Sequence, residues 1–243
     1  MKRKDNKKHE SGDSALMDLL RAIVSGERDR VSQLIAESPS LAVQALAIGA
    51  SRKSPAPYFF LKIAHYVYAG DTALHVAAAA YQREVAQELI AKGARPGARN
   101  RRGAEPLHYA ADGVPGSAAW NPHAQAAIVE FLIEAGADSN STDNSGVTPL
   151  HRAVRTRCAA AVRALLAKGA DPLRKNKTGS TPLHLAVQST GRGGTGSSKA
   201  REQQQEIIAL LLRHGAKPTD KDAHGKTVEQ IALSDWIREL LQI

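Results

Sequence analysis

Two stretches decide the fold: T-P-L-H-R-A-V at 148–154 and T-P-L-H-L-A-V at 181–187, which begin 33 residues apart. Working outward, T-A-L-H-V-A-A at 72–78 and E-P-L-H-Y-A-A at 105–111 repeat the pattern, and T-V-E-Q-I-A-L at 227–233 is a degraded copy. Self-similarity at such a period indicates a repeat architecture, in which each unit buries its apolar side against its neighbours.

Each copy predicts a pair of helices. Thr148 stands where a helix N-cap belongs, and Pro149 follows at the first helical position, where a missing N–H costs nothing. An apolar second segment follows, V-R-A-L-L-A-K-G at 162–169, and its glycine suits the left-handed residue that ends a helix. The unit is therefore helix, turn, helix and an extended loop into the next cap.

The T-P-L-H-x-A signature at this period, with the G-A-D turns at 136–138 and 169–171, resembles the ankyrin repeat family. The resemblance implies an all-α fold, an ankyrin repeat solenoid of stacked helix-turn-helix repeats with β-hairpin fingers between them. It also implies a structural, hydrogen-bonding role for the histidine of each turn. These histidines are His75, His108, His151 and His184.

The chain is expected to divide along these repeats. The expected parts are a basic disordered tail at 1–13, an N-terminal capping repeat at 14–39, an irregular aromatic insertion at 40–71, repeats at 72–104, 105–147, 148–180 and 181–226, and a C-terminal capping repeat at 227–243.

Two repeats are longer than the period. The gap from Glu105 to Thr148 is 43 residues and the gap from Thr181 to Thr227 is 46, which places insertions at 112–123 and 188–206, both on the edge opposite the fingers. The second contains G-R-G-G-T-G at 191–196, the spacing of a dinucleotide-binding fingerprint. It follows a helix rather than a strand, so we interpret it as a flexible insertion and not as a phosphate cradle.

The segment 40–71 breaks the repeat. Ser40 is predicted to cap a short helix through Ile48, and S-P-A-P at 54–57 interrupts it. Y-F-F-L-K-I-A-H-Y-V-Y at 58–68 then predicts extended chain, such as a long hairpin that packs against the first full repeat. An exposed aromatic groove for a partner is the alternative.

The composition limits the compartment and the core. Hydrophobic residues make up 42% and aromatic residues 4% of the chain, so the core must consist of Ala, Leu, Ile and Val. The single cysteine, Cys158, excludes an internal disulfide and suits a reducing compartment, so we expect a cytoplasmic protein. No apolar stretch approaches the roughly 20 residues of a membrane-spanning helix, and the basic N-terminus lacks the apolar run of a secretory signal.

The sequence offers no catalytic arrangement. It has no H-E-x-x-H motif and no cysteine pair, so a zinc site has no support from spacing. Neighbouring arginines could lower the thiol pKa of Cys158, yet nothing places a His with an Asp or Asn beside it, which favours a bystander. We expect no enzyme, no cofactor, no metal and a monomer.

The charge of +9 lies mainly in the folded body, because the tail at 1–13 holds five Lys/Arg against three Asp/Glu. Four arginines stand in the finger at 93–105 against one glutamate, and three cations in the finger at 169–180 against one aspartate. Charged side chains at fingertips are commonly only solvated. Arginines this closely spaced also suit an acidic partner, in which case their charge would act chiefly on the association rate and the selectivity of binding. Reversing Arg101 and Arg102 to Glu is expected to weaken binding and leave thermal stability nearly unchanged.

The resemblance implies that a partner binds the fingertips and the exposed face of the first helices. Trp120, on the inserted loop, is a further candidate anchor, although it could instead fold back on its own helices. The predicted partner-binding residues are Arg99, Arg101, Arg102, Asn144, Ser145, Arg155, Thr156, Lys175, Lys177, Thr178, His224 and Trp120.

Two functions remain open from the sequence. The first is a non-catalytic scaffold for protein–protein interaction, whose partner has an acidic surface. The alternative is a module that binds nucleic acid or another anionic surface with its basic fingers and tail. The chain lacks the interleaved aromatic residues of single-strand binders, which favours the scaffold.

Overall fold

The computed structural model describes residues 2–115, 117, 120–189 and 198–242, and there the chain is a stack of paired helices. The helices are α1 (Lys2–Ser25), α2 (Arg28–Glu37), α3 (Ala73–Ala79), α4 (Arg83–Ala91), α5 (Pro106–Ala111), α6 (Pro122–Glu134), α7 (Pro149–Arg155), α8 (Ala159–Ala167), α9 (Pro182–Ala186), α10 (Ser198–Arg213), α11 (Val228–Ile231) and α12 (Asp235–Leu241). Odd-numbered helices pack on one another as an inner layer, and even-numbered helices form the outer layer. The predicted all-α solenoid is confirmed.

The inner helices begin as their sequences predict. The hydroxyl of Thr148 accepts the backbone N–H of His151 at 3.3 Å, and Pro149 occupies the first turn of α7. The second helices end at glycines with positive φ, such as Gly169 at 83° and Gly215 at 95°. Only a residue without a side chain adopts this conformation without strain, which explains the glycine in each turn.

Small aliphatic side chains fill the space between the two layers. Ala77, Ala78, Ala110 and Ala153 are fully buried on the inner helices, where their small size lets neighbouring repeats approach closely. Tyr109 of α5 is the largest fully buried side chain. No helix of the described ranges combines the length and the apolar character needed to cross a membrane.

The first helix reaches further back than the sequence indicates. Residues 2–13, expected to form a disordered tail, belong to α1. The carboxylate of Asp13 accepts the backbone N–H groups of Ala47 at 2.9 Å and Ile48 at 3.0 Å. Asp13 therefore ties α1 to the segment 40–71 and lies inside the folded body.

The segment 40–71 is a long finger with a hairpin at its end. The helix predicted from Ser40 to Ile48 is wrong, because a 3₁₀ turn ends at Ala42 and the chain then pairs with the start of the next repeat. Leu46 donates its N–H to the carbonyl of Asp71 at 2.8 Å, and the carbonyl of Leu46 accepts the N–H of Gly70 at 2.7 Å. These cross-chain bonds satisfy backbone groups that a helix would have bonded internally.

The predicted extended chain at 58–68 is confirmed in part. Strands β1 (Phe59–Phe60) and β2 (His65–Tyr66) pair antiparallel, and a 3₁₀ turn at Leu61–Ile63 joins them. Ala64 closes this turn with φ of 48°. We call residues 56–67 the aromatic hairpin.

The inserted repeats have longer outer helices. Helix α10 has 16 residues, whereas α4 and α8 have 9 each, because residues 198–206 of the second insertion are helical. The G-R-G-G-T-G stretch at 191–196 lies outside the described residues. The first insertion runs from Asp112 to Asn121 between α5 and α6.

Candidate partner-binding surface

A ladder of backbone hydrogen bonds joins the fingertips. Each finger donates an N–H group to a carbonyl of the finger before it. The bonds run from Arg101 to Ala69 at 2.9 Å, from Asn144 to Arg102 at 2.9 Å, from Lys177 to Ser145 at 3.0 Å and from Ala223 to Thr178 at 3.3 Å. The structure thus brings the predicted fingertip residues together along one edge, with His224 exposed in the last finger.

The arginines of the first finger hold neighbouring segments in place. The guanidinium groups of Arg101 and Arg102 lie 5.4 Å and 4.9 Å from the ring centre of Tyr68. Arg102 also donates to the hydroxyl of Tyr68 at 2.9 Å, and Arg101 donates to the carbonyl of Ala50. Both residues therefore bind the long finger at 40–71, so their charge is only partly available to a partner.

Arg99 makes contacts of the same kind. It donates to the carbonyl of Thr142 in the next finger and lies 3.7 Å from the carboxylate of Glu105. Burial raises the pKa of Glu105, whose side chain faces the start of α5. Arg99 therefore offsets part of the cost of a buried carboxylate.

The cations of the fingers at 169–180 and 215–226 are exposed and form no ion pair with any residue that the structure describes. They are Arg174, Lys175, Lys177, Lys217, Lys221 and Lys226. The aspartates of these fingers accept backbone N–H groups instead: Asp171 accepts that of Leu173 at 2.8 Å, and Asp222 that of His224 at 2.8 Å. This end of the edge is therefore a basic surface, which we call the C-terminal fingers.

The aromatic hairpin covers part of the inner-helix face. The ring of His65 lies 4.2 Å from that of Tyr109, and Lys62 donates to the carbonyl of Ser25 at 3.0 Å. The hairpin thus spans the end of α3 between α1 and α5. Ala79 and Ala80, at the end of α3, lie beneath it, buried and half-buried.

A buried polar network lies under the hairpin. The carboxylate of Asp71 accepts the hydroxyl of Tyr109 at 2.8 Å and the side-chain amide of Asn100 at 2.8 Å. Burial and the nearby Asp71 raise the pKa of Tyr109, so the phenol stays protonated and donates.

Arg152 forms the other half of this network. Its guanidinium binds Asp112 at 2.9 Å and Asp143 at 3.2 Å and lies 6.0 Å from the ring centre of Tyr109. Although burial disfavours the cation, these two carboxylates raise the pKa of Arg152. Sequence reasoning missed this network. The only sign of it in the sequence is Arg152, which follows the histidine of its copy. The same position is apolar or aromatic in the other three copies that contain a histidine.

Two of the predicted partner-binding residues lie at the end of α7, next to the buried network of Asp71, Tyr109 and Arg152. Arg155 is exposed, with one guanidinium nitrogen 3.8 Å from Asp112. Thr156 is half-buried and donates its hydroxyl to the carbonyl of Arg152 at 2.9 Å. Of the predicted inner-helix positions, Arg155 is thus the more accessible to a partner.

Trp120 and Cys158 pack inward. The indole of Trp120 donates to the side-chain oxygen of Gln125 at 2.9 Å, and its ring is half-buried against the core. Cys158 is fully buried, and burial raises the pKa of its thiol to about 11. The thiol is therefore protonated at neutral pH, which agrees with a bystander and not with a nucleophile.

The histidines of the repeats join one repeat to the next. In three of them one ring nitrogen accepts the backbone N–H of the N-cap residue in the same repeat. The other ring nitrogen faces a backbone carbonyl of the following finger. These contacts join His75 to Ala104 at 3.2 Å, His108 to Val147 at 3.0 Å and His151 to Ser180 at 3.1 Å. The predicted structural role is confirmed. Across the described part of the chain, no group of three or more His, Cys, Asp or Glu is placed to hold a metal ion.

Two family models match the chain. The model of ankyrin repeats in three copies matches residues 116–222, and the model of a single ankyrin repeat matches residues 69–101. The two ranges together cover more than half of the chain. Among curated proteins, NF-kappa-B inhibitor delta of Mus musculus is 36% identical over 94 residues, which are 37% of this chain and 25% of that protein. The match therefore spans a quarter of that relative's length.

Proposed function

Because the chain belongs to the ankyrin repeat family, we propose that it is a non-catalytic scaffold that binds an acidic segment of a partner protein. The C-terminal fingers carry the main contact, and Arg155 at the end of α7 extends it. The observation that carries this proposal is the row of exposed cations there, which form no ion pair among the described residues. An acidic partner would supply the missing carboxylates and be steered toward them.

The resemblance to the mouse protein supports the class of function only. The name of that relative describes an inhibitor of NF-kappa-B, a role that requires recognition of another protein. We carry over the use of a repeat stack to bind a protein, and not the identity of the bound protein. The buried single thiol suits a reducing compartment, so we place this function in the cytoplasm.

The test compares two double charge reversals. Lys175→Glu with Lys177→Glu removes cations from the third finger. Arg28→Glu with Arg30→Glu makes the same change in charge at exposed positions of α2, away from the fingers. Affinity purification from the native cell, read by mass spectrometry, should yield a protein retained by the wild type and the α2 variant and lost from the finger variant.

The retained protein is then titrated in purified form at rising salt concentration. Loss of binding in both variants, or in neither, would contradict the proposal. If nuclease treatment of the lysate removes all captured material and the purified chain binds duplex or single-stranded DNA with a steep salt dependence, the anionic-surface function is correct instead.

A further inference from the structure

Two departures from the repeat pattern meet in space. The tip of the aromatic hairpin, at Leu61–Ala64, faces Gly113, Val114, Ser117 and Trp120 of the first insertion across the end of α3. Together with Ala79, Ala80 and Tyr81 they line an open cleft of about 370 Å³. We call this cleft the hairpin cleft. Both segments are additions to the 33-residue repeat, so the cleft is a feature of this chain and not of the repeat pattern.

Apolar side chains line most of the hairpin cleft. They are Leu61, Ile63, Ala79, Ala80, Val114 and Trp120. Leu61 is 82% exposed and Val114 is 50% exposed, so two large apolar groups stand at the mouth in contact with water. A partner side chain that covered them would remove apolar surface from water, which is favourable.

Positive charge lies on two sides of the cleft. Lys62 lines it, and a second cavity of about 300 Å³ on the other side of the hairpin is lined by Arg102, Arg152 and Arg155. The carboxylates of these two cavities are Asp112 and Asp143, and both bind Arg152. Four cations thus stand against two carboxylates, and the side chain of Arg155 remains 59% exposed.

We propose that the hairpin cleft binds one large apolar side chain, such as Leu, Met or Phe, of a partner peptide whose neighbouring residues are acidic. The apolar side chain fills the space between Leu61, Val114 and Trp120. The acidic neighbours bind Lys62 on one side and Arg155 on the other. This inference rests on the proposed function only in taking the ligand to be an acidic protein segment, and it adds a second contact region that shares Arg155 with the first.

The probe is a set of twelve-residue peptides selected on the full-length chain from a random display library. Peptides that bind should carry a large apolar residue with Asp or Glu within a few positions. Binding should alter the fluorescence of Trp120, read in the Trp236→Phe background so that this indole alone reports. Selected peptides without this pattern, or no selected peptides, would overturn the proposal.

A matched pair of variants locates the site. Leu61→Glu places a carboxylate at the mouth of the cleft, and Leu233→Glu makes the same change at a 75% exposed leucine near the C-terminal end. We expect Leu61→Glu to weaken peptide binding at least tenfold and Leu233→Glu to change it less than twofold. Equal effects of the two variants would refute the cleft as the site. If Leu61→Glu fails to fold, Val114→Glu takes its place.

The same peptides separate this inference from the proposed function. Loss of binding with Lys175→Glu and Lys177→Glu, but not with Leu61→Glu, would leave the C-terminal fingers as the binding surface and refute the cleft. Sedimentation of the chain alone gives a further check. A concentration-dependent dimer that Leu61→Glu abolishes would show that a second copy occupies the cleft and would likewise overturn the proposal.

Discussion

Three of the four T-P-L-H histidines use both ring nitrogens at once. In His108, one nitrogen accepts the backbone N–H of Glu105 at 3.2 Å, while the other donates to the carbonyl of Val147 at 3.0 Å. Only the neutral ring satisfies this pattern, because a protonated ring has no acceptor. Burial, the largest cause, together with the nearby Arg152, lowers the pKa of His108 to about 3.

The stack should therefore lose stability in mild acid. The unfolded chain binds a proton at His108 below its ordinary pKa of 6.5, whereas the folded chain does not until about pH 3. The contribution of neutral His108 to the free energy of unfolding is therefore largest above pH 6.5 and declines as the pH falls. From pH 7 to 5 the loss is about 2 kcal/mol for this residue. Urea unfolding at the two pH values checks this, and His108→Gln should flatten the dependence.

Glu105 occupies a position where the four other copies of the repeat have threonine. Burial raises the pKa of Glu105, so its ionised form at neutral pH costs stability. Glu105 already caps α5 by accepting the backbone N–H of His108, so Glu105→Thr keeps a cap and removes the buried carboxylate. We expect it to raise the free energy of unfolding by about 1 kcal/mol. The gain should shrink near pH 4, where the glutamate is protonated. A fall in stability at pH 7 would show that the ion pair with Arg99 outweighs the burial of the carboxylate.

Among the helices, the two repeats with insertions share one feature: a glutamine side chain bonds a carbonyl group at the end of the inner helix. In a repeat without an insertion the turn itself does this, since Cys158 donates its N–H to the carbonyl of Ala153 at 2.9 Å. In the inserted repeats a buried glutamine of the outer helix donates its amide instead. Gln125 reaches Ala110 at 3.0 Å, and Gln204 reaches Ala186 at 2.6 Å. A long insertion is tolerated because these side chains replace the lost backbone bonds.

Helix α10 allows a direct test of this replacement. Gln204 is buried and Gln205 beside it is exposed. Gln204→Leu leaves carbonyl groups unpaired and should cost about 1–3 kcal/mol of unfolding free energy. Gln205→Leu should cost almost nothing. Chemical denaturation of both variants decides, and equal stability would mean that water satisfies the carbonyl groups.

Two glycines with similar backbone conformation should respond differently to the same substitution. Gly169 has φ of 83° and open space where a Cβ would lie, so Gly169→Ala carries only the backbone strain of about 1 kcal/mol. Gly179 has φ of 74°, and a Cβ there would collide with the backbone of Ala223 in the next finger. Gly179→Ala should therefore lower the melting temperature clearly more than Gly169→Ala. Equal losses would show that the fingers move apart at little cost.

At the scale of the whole molecule, the inner face has two different halves. The aromatic hairpin covers the end of α3 and contacts α5, while the C-terminal fingers remain open and basic. The first finger belongs to the covered half, since its arginines stack on Tyr68.

This division changes the expectation for Arg101→Glu with Arg102→Glu. The sequence predicts nearly unchanged thermal stability, yet both side chains hold the long finger through Tyr68 and the carbonyl of Ala50. Each cation–π contact contributes about 0.5–1 kcal/mol, so the double variant should melt roughly 2–8 °C lower. Lys175→Glu with Lys177→Glu serves as the comparison and should melt as the wild type does. Identical melting of the two variants would support the earlier expectation.

The repeat was enough to predict the helical pairs and their caps, because these depend on contacts within one repeat or with the next. Thr148 and Gly169 are therefore predictable from their spacing, whereas the role of His151 follows from the resemblance to the ankyrin repeat family. The finger cations were also predictable as a group.

The effect of the departures from the repeat became visible in the folded chain. The aromatic hairpin folds across the inner face, Asp71 and Arg152 join it to two repeats, and its tip meets the inserted loop to form the hairpin cleft. Residues far apart in the chain make these contacts, and no periodic pattern records them. The contacts of Arg101 with the carbonyl of Ala50 and the ring of Tyr68 are of the same kind, because they depend on which segment packs beside the finger.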